Sequence, residues 1–214
     1  MASTASPYGF RAVNELNGLP YAGATRSFPI DPAGYAANIF NGSLVYVAAT
    51  GYLQIVTSTG ADATTNAFPT GSGGGALATG AVGVFVGCTY TNAQGQIIYS
   101  QYYPANTASV QGSTITAYVV DDDRAVFAVQ ANNTVTFAAL GQNVFLSAVQ
   151  STSTGSTTTG NSTTAVSASS TAATAAFRIV GFVNNAQSQV GDAYTDLLVK
   201  FNPGYHSYTV AIGL

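Results

Sequence analysis

The sequence predicts an all-β protein, a barrel or sandwich with few or no helices and an extended N-terminal arm. Three observations carry this. No stretch of 12 residues repeats its apolar positions with a 3.6-residue period, as an amphipathic helix must. Short runs of β-branched and aromatic residues recur along the chain, separated by Gly, Asn and Asp corners. Charged residues make up only 6% of the 214, while Gly, Ala, Ser and Thr fill the space between apolar residues.

Residues 1–35 lack periodicity and are rich in turn formers. Prolines and glycines in "GLPYAGATRSFPIDPAGY" oppose a helix. The segment reads as an arm whose aromatics, Tyr8, Phe10, Tyr21, Phe28 and Tyr35, lie on their own domain or reach a neighbouring subunit. Residues 36–214 form the β core, either whole or divided into subdomains of 36–150 and 151–214.

Within the core, "SLVYVAATGYLQIVTS" places two strand-like runs around Ala49-Thr50-Gly51 and predicts a hairpin. A loop rich in glycine and small polar residues follows, from Thr57 to Ala81. In "VGVFVGCTYTNAQGQIIYSQYY", β formers flank Asn92-Ala93-Gln94-Gly95, the strongest hairpin signal in the chain. "TITAYVV" and "AVFAVQA" are strands on either side of Asp121-Asp122-Asp123, with Val119, Val126, Phe127 and Val129 as core. A short helix is expected between Phe137 and Gly141. The polar, low-complexity run from Gln150 to Ala175 is a long loop or a pair of strands with small side chains. Strands are expected over residues 177–182 and 195–201, and "TDLLVKF" has the density of a strand with one buried face. A turn at "NPGYHSY" leads into a short tail.

The weakly charged surface points to an exterior that faces other protein, since a lone small monomer usually keeps more charge. The net charge is −3, and the five cations, Arg11, Arg26, Arg124, Arg178 and Lys200, are scattered. Nucleic-acid binding needs clustered Lys and Arg, so it is not expected. No window approaches the roughly 18 apolar residues of a membrane span, and the N-terminus has no secretory-signal pattern. The N-x-S/T triplets at Asn41, Asn132 and Asn161 read as chance matches in a Ser/Thr-rich chain.

The aspartate triplet is the one acidic cluster. Adjacent strand residues point to opposite faces, so three consecutive carboxylates cannot converge on one ion. An EF-hand places glycine sixth and glutamate twelfth; counted from Asp121 these places hold Val126 and Asn132. Asp is also an ordinary turn former. The triplet is therefore read as a corner, with Arg124 offsetting part of its charge; an adventitious Ca²⁺ site and a catalytic role are the alternatives. Asp192 reads as a turn residue, and its spacing to Asp196 has no defined catalytic geometry. Cys88, the single cysteine, reads as a small buried hydrophobe. His206 reads as surface packing or an interface contact, for want of a second metal ligand. "GSGGGA" lacks the Lys-Ser/Thr of a phosphate loop and reads as linker. The 13 tyrosines and 11 phenylalanines suit protein–protein contact better than a sugar platform, which usually adds tryptophan. No catalytic residue, metal site or cofactor is expected.

Four stretches carry a family resemblance: "MASTASPYGFRAVNELNGLPYAGATRSFPI", "VGVFVGCTYTNAQGQIIYSQYYPA", "AYVVDDDRAVFAVQA" and "TTTGNSTTAVSASSTAATAAFRIVGFVNNAQSQVGDAYTDLLVKFN". Together they resemble tailed-phage structural proteins. The layout of "NGSLVYVAATGYLQIV…AVGVFVGCTY", with Gly42, Val45, Gly83, Val84, Val86 and Gly87, is similar to small β-barrel decoration proteins. This chain is longer than the smallest of those, and its added C-terminal β region implies a second subdomain. The resemblance implies a capsid decoration (cement) protein on the outer capsid surface of a virion, made in the host cytoplasm. It would bind the major capsid protein, bridge capsomers and form a homo-oligomer, a trimer at three-fold positions. The alternative it leaves is a tail or fibre component that binds a host glycan. On this reading Tyr8, Phe10, Arg11, Tyr21, Arg26 and Phe28 are the candidate capsid or inter-subunit contacts, because aromatic and arginine side chains dominate binding hot spots. Deleting residues 1–35 would then leave a folded core with weakened capsid affinity.

Overall fold

A computed structural model describes residues 4–58, 80–110, 113–167 and 175–209. Among them the chain is nearly all β, in two antiparallel sheets. The strands are β1 (Arg11–Glu15), β2 (Arg26–Ile30), β3 (Leu44–Val47), β4 (Leu53–Ile55), β5 (Gly83–Thr91), β6 (Ile97–Ser100), β7 (Ile115–Val120), β8 (Ala125–Gln130), β9 (Asn143–Val144), β10 (Phe177–Phe182) and β11 (Asp196–Phe201). The first sheet runs β1-β8-β11-β10-β9; the second runs β2-β7-β5-β3-β4, with β6 also beside β5. The expected helix near Phe137 is a single 3-10 turn, Phe137–Ala139.

The hairpins form where turn chemistry places them. β3 and β4 pair across the Ala48–Tyr52 turn. β5 and β6 pair across a turn in which Gly95 takes φ +78°, the conformation that ends a three-residue hairpin loop. β11 alternates half-buried Asp196, Leu198 and Lys200 with buried Leu197, Val199 and Phe201, the period-2 pattern of a strand with one face inward. β8 is buried at all six positions, because it sits inside the first sheet between β1 and β11.

The sheets do not divide at residue 150. The chain enters the first sheet as β1, builds the second from β2 to β7, and returns to the first as β8 to β11. The N-terminal segment is therefore woven in, and an extended arm is not what the structure shows between Arg11 and Ile30. β1 pairs with β8 and β2 with β7. The sequence signal was weak for a physical reason: both are edge strands. Pro29 in β2 has no N–H to give, and an edge is where a sheet tolerates that.

Two apolar clusters hold the fold. The first joins the first sheet to Leu44, Val84 and Val120 of the second. At its centre four rings meet: Phe10 to Phe177 at 4.9 Å, Phe177 to Phe201 at 5.0 Å, Phe127 to Phe201 at 6.0 Å and Phe10 to Phe127 at 6.2 Å between centroids. Burying each such side chain stabilises by about 1.5–3 kcal/mol. The second cluster gathers Ile30, Ile39, Leu53, Ile55, Phe85, Tyr103, Ile115 and Val119. It lies on the other face of the second sheet, whose outer strands β2 and β4 approach one another, so that sheet curls around it.

The low-complexity run is described as far as Ser167. It is irregular, and single bridges stitch it to the sheets at Asn41–Asn161, Ala131–Val166 and Leu146–Val166. Its small hydroxyls are buried because they find partners: Ser162 and Thr164 hydroxyls lie 2.7 Å apart. Gln150 accepts from the Leu44 N–H at 2.9 Å and donates to the Leu44 and Val56 carbonyls at 3.0 and 2.9 Å. Most of the glycine-rich loop after Ser58 falls outside the described residues.

Candidate interaction surfaces

The aspartate triplet is the corner at which the chain leaves the second sheet for the first, between Val120 of β7 and Ala125 of β8. Asp122 makes the turn: its Oδ1 accepts the Arg124 N–H at 2.8 Å, and its carbonyl accepts the Ala125 N–H at 3.2 Å. The corner is pressed against Gly83 of β5. A Cβ there would overlap the Val120 carbonyl and lie 3.0 Å from the Asp121 Cα. Asp121 points to a cation far away in sequence. Its Oδ2 lies 2.9 Å from Arg26 Nε and accepts the Tyr208 hydroxyl at 2.8 Å. Arg26 also donates to the Tyr208 hydroxyl at 2.9 Å and stands over its ring, 5.4 Å from the centroid. Asp121 thus fastens β2, the corner and the C-terminal tail together, while Asp122 shapes the turn itself. Among the described residues, no group of three His, Cys, Asp or Glu side chains is placed to hold a metal ion.

His206 corrects the surface reading: it is 0% exposed. The ring packs edge-on to Phe201 and Tyr208 at 5.2 and 5.1 Å. Its Nδ1 accepts the Tyr208 N–H at 3.3 Å, and Nε2 is buried. Burial lowers its pKa below the ordinary histidine value, against the pull of Asp123, Asp121, the Val82 backbone and Asp122. The folded state therefore favours the neutral ring, and the unfolded chain binds the proton more readily. Stability is full above the unfolded value of about 6.5 and is lost as pH falls through it toward the lower folded value. Asp196 acts with the opposite sign. Burial raises its pKa, against hydrogen bonds from Tyr8, Ser188 and Gln130, so its cost is relieved as pH falls toward about 4. Comparing wild type with His206→Phe cancels the Asp196 contribution. Between about pH 7.5 and pH 5, wild type is expected to lose more melting temperature than the variant; equal losses contradict the assignment.

The candidate contacts at the N-terminus have distinct places. Phe10 is 1% exposed and belongs to the core, so its ring is not available to an outside partner in this fold. Tyr8 is half-buried beside Asp196, and burial with that carboxylate raises its pKa. Arg11 lies in an amide cradle: it donates to the Asn41 side chain and, at 2.7 Å, to Asn161 Oδ1, which also accepts from Gln101 at 2.7 Å. Tyr21 packs on the first cluster and donates to the Ala24 carbonyl. Arg26 is tied to Asp121, and Phe28 packs against the second cluster. The structure does not gather these side chains into one patch: Phe10 and Tyr21 pack on the first cluster, Phe28 on the second, and Tyr8, Arg11 and Arg26 each meet a different polar partner of the same chain.

Other groups with chemical potential are used internally. Cys88 is buried, and burial pushes its pKa up to about 12, which leaves no thiolate for nucleophilic work. Asp192 closes a turn by accepting the Gln189 N–H at 3.0 Å.

The sequence reading missed where the large exposed apolar side chains lie. Leu16 and Leu19 stand on the turn after β1, Ile97 and Tyr99 on β6, and Phe137 and Leu140 at the 3-10 turn, where Phe137 meets Phe182 at 5.4 Å; Val13, Val149 and Tyr208 are exposed elsewhere. For β6 the available signal was the run from residue 63 to residue 120, which has no Asp, Glu, Lys or Arg and includes all of β5, β6 and β7. Comparison with protein-family models, with curated proteins and with solved structures finds no match.

Proposed function

We propose that the protein is a virion structural component, a decoration protein that binds the outer surface of a phage capsid and bridges neighbouring capsomers. Its mechanism is binding alone. The observation that carries the reading is that, among the described residues, exposed large apolar side chains stand at several separate points, the β1 turn, β6 and the Phe137 turn among them, on a chain with 6% charged residues. A bridging element needs more than one contact point. Each contact is modest, and repetition over a symmetric shell multiplies it. The ionisable clusters support the same reading, because Arg26, Asp121, Tyr208, Tyr8 and Asp196 hold the chain to itself. The partners are the major capsid protein and further copies of the chain, in a trimer at three-fold positions.

Cryo-EM of the native particle tests this assignment. Density that fits the two-sheet fold on the shell exterior, at capsomer junctions, is expected. The same density confined to tails or fibres contradicts the assignment and favours a tail component.

A further inference from the structure

β6 is bonded on one side. Its ladder runs to β5, with Thr91 opposite Ile97, Thr89 opposite Tyr99, Tyr90 opposite Ile98 and Cys88 opposite Ser100. Among the described residues no other strand pairs with it. The turn before β6 fixes which of its backbone groups face outward. The Asn92 N–H donates to the Gln96 carbonyl at 2.9 Å, so residues 92 and 96 are a hydrogen-bonded pair. Bonded and non-bonded pairs alternate along an antiparallel ladder. Ile98 and Ser100 therefore bond inward to β5, and Ile97 and Tyr99 turn their N–H and C=O groups to the open edge.

Natural proteins blunt such edges with lysine, proline, a bulge or a covering segment. Residues 94–103 hold no charge and no proline, and the β5–β6 register is continuous. The side chains beside the open groups are apolar: Ile97 is 67% and Tyr99 79% exposed.

We infer that β6 is a two-fold contact between copies of this chain, in which β6 pairs antiparallel with the second copy's β6 about an axis between the two Ile98 residues. An open strand edge selects another strand, because only a strand repeats its donors and acceptors at the same spacing. A second copy brings a strand of matching length, and the charge-free run around β6 means that it brings no like charge with it. The register follows from the backbone. Pairing Ile97 with the second copy's Tyr99, and Tyr99 with its Ile97, uses all the outward groups of both strands. Ile98 then faces Ile98 as the non-bonded pair. The same register sets a β-branched side chain against an aromatic one twice, a favoured cross-strand pair. A two-fold contact closes at two copies and leaves a three-fold contact possible elsewhere on the molecule. The inference concerns the chain in solution, so its failure and that of the capsid reading are separate results.

Two variants test it. Tyr99→Pro removes an outward N–H and leaves the β5–β6 bonds in place, which an edge strand tolerates. The expected result is an unchanged melting temperature and a halved assembly mass in sedimentation. Ile98→Cys places two thiols across a non-bonded antiparallel pair, where Cα atoms lie about 4.5 Å apart, within disulfide range. Native Cys88 is buried and does not compete. Oxidation is expected to cross-link Ile98→Cys into covalent dimers faster than Gln189→Cys, an exposed turn position on another part of the fold. A wild type that sediments as a single chain at every concentration, or Ile98→Cys cross-linking no faster than Gln189→Cys, overturns the inference.

Discussion

Deleting residues 1–35 is expected to give a chain that does not reach the native fold. The deletion strips β1 from β8 and β2 from β7, and exposes backbone edges in both sheets. It also takes Phe10 from the first core and Ile30 from the second. Truncating one buried phenylalanine costs about 3–5 kcal/mol and one buried isoleucine about 2–5 kcal/mol. Together with two lost ladders this consumes the roughly 5–15 kcal/mol by which a domain is stable. Circular dichroism and thermal melting check it: a truncated chain without a cooperative transition is the predicted result. A truncated chain with the wild-type β signal and a melting temperature close to wild type would show that the segment is an arm after all.

Gly83→Ala is expected to be the most damaging single methyl added to the fold. The new Cβ would overlap the Val120 carbonyl and lie 2.8 Å from its carbon. Both atoms belong to the backbone of the corner, so no side-chain rotation relieves the clash. Separating β5 from the corner would disturb the Val84–Val120 pairing and the Asp121 contacts to Arg26 and Tyr208. The expected loss exceeds about 3 kcal/mol, the upper end for overpacking. Gly191→Ala is the control: φ is +92° and nothing lies within 4 Å of its Cβ. Only backbone strain acts there, worth about 1–2 kcal/mol. Urea denaturation of both variants measures the difference, and equal losses would mean that the corner yields easily.

Much of the architecture was legible because it is local. The β3–β4 and β5–β6 turns, the strand over Phe177–Phe182 and the corner at Asp121 each follow from residues within a few positions of one another. What was not legible depends on partners distant in sequence. Arg124 is the cation nearest to Asp121 in the chain, three residues on, yet the ion pair of Asp121 is with Arg26, which the β2–β7 pairing brings near. His206 looked superficial because its sequence neighbours are polar or aromatic; the bridge from Ala81 and the packing of Phe201 bury it. β1 and β2 carry no clean alternation because few of their side chains are fully buried, and a bulge between Ala12 and Asn14 breaks the period further. Residue type alone nominates the contact candidates in this segment, and the same aromatic and arginine chemistry that suits an interface also suits an anchor within the chain.

Attachment to a phage capsid is the role proposed for this molecule. Co-sedimentation of the purified, full-length protein with undecorated capsids tests it most directly. Saturable pelleting at a fixed ratio to the major capsid protein is expected, with weaker pelleting after Leu19→Lys or Phe137→Lys. Protein that stays in the supernatant at every ratio, with the same capsids intact, would contradict it.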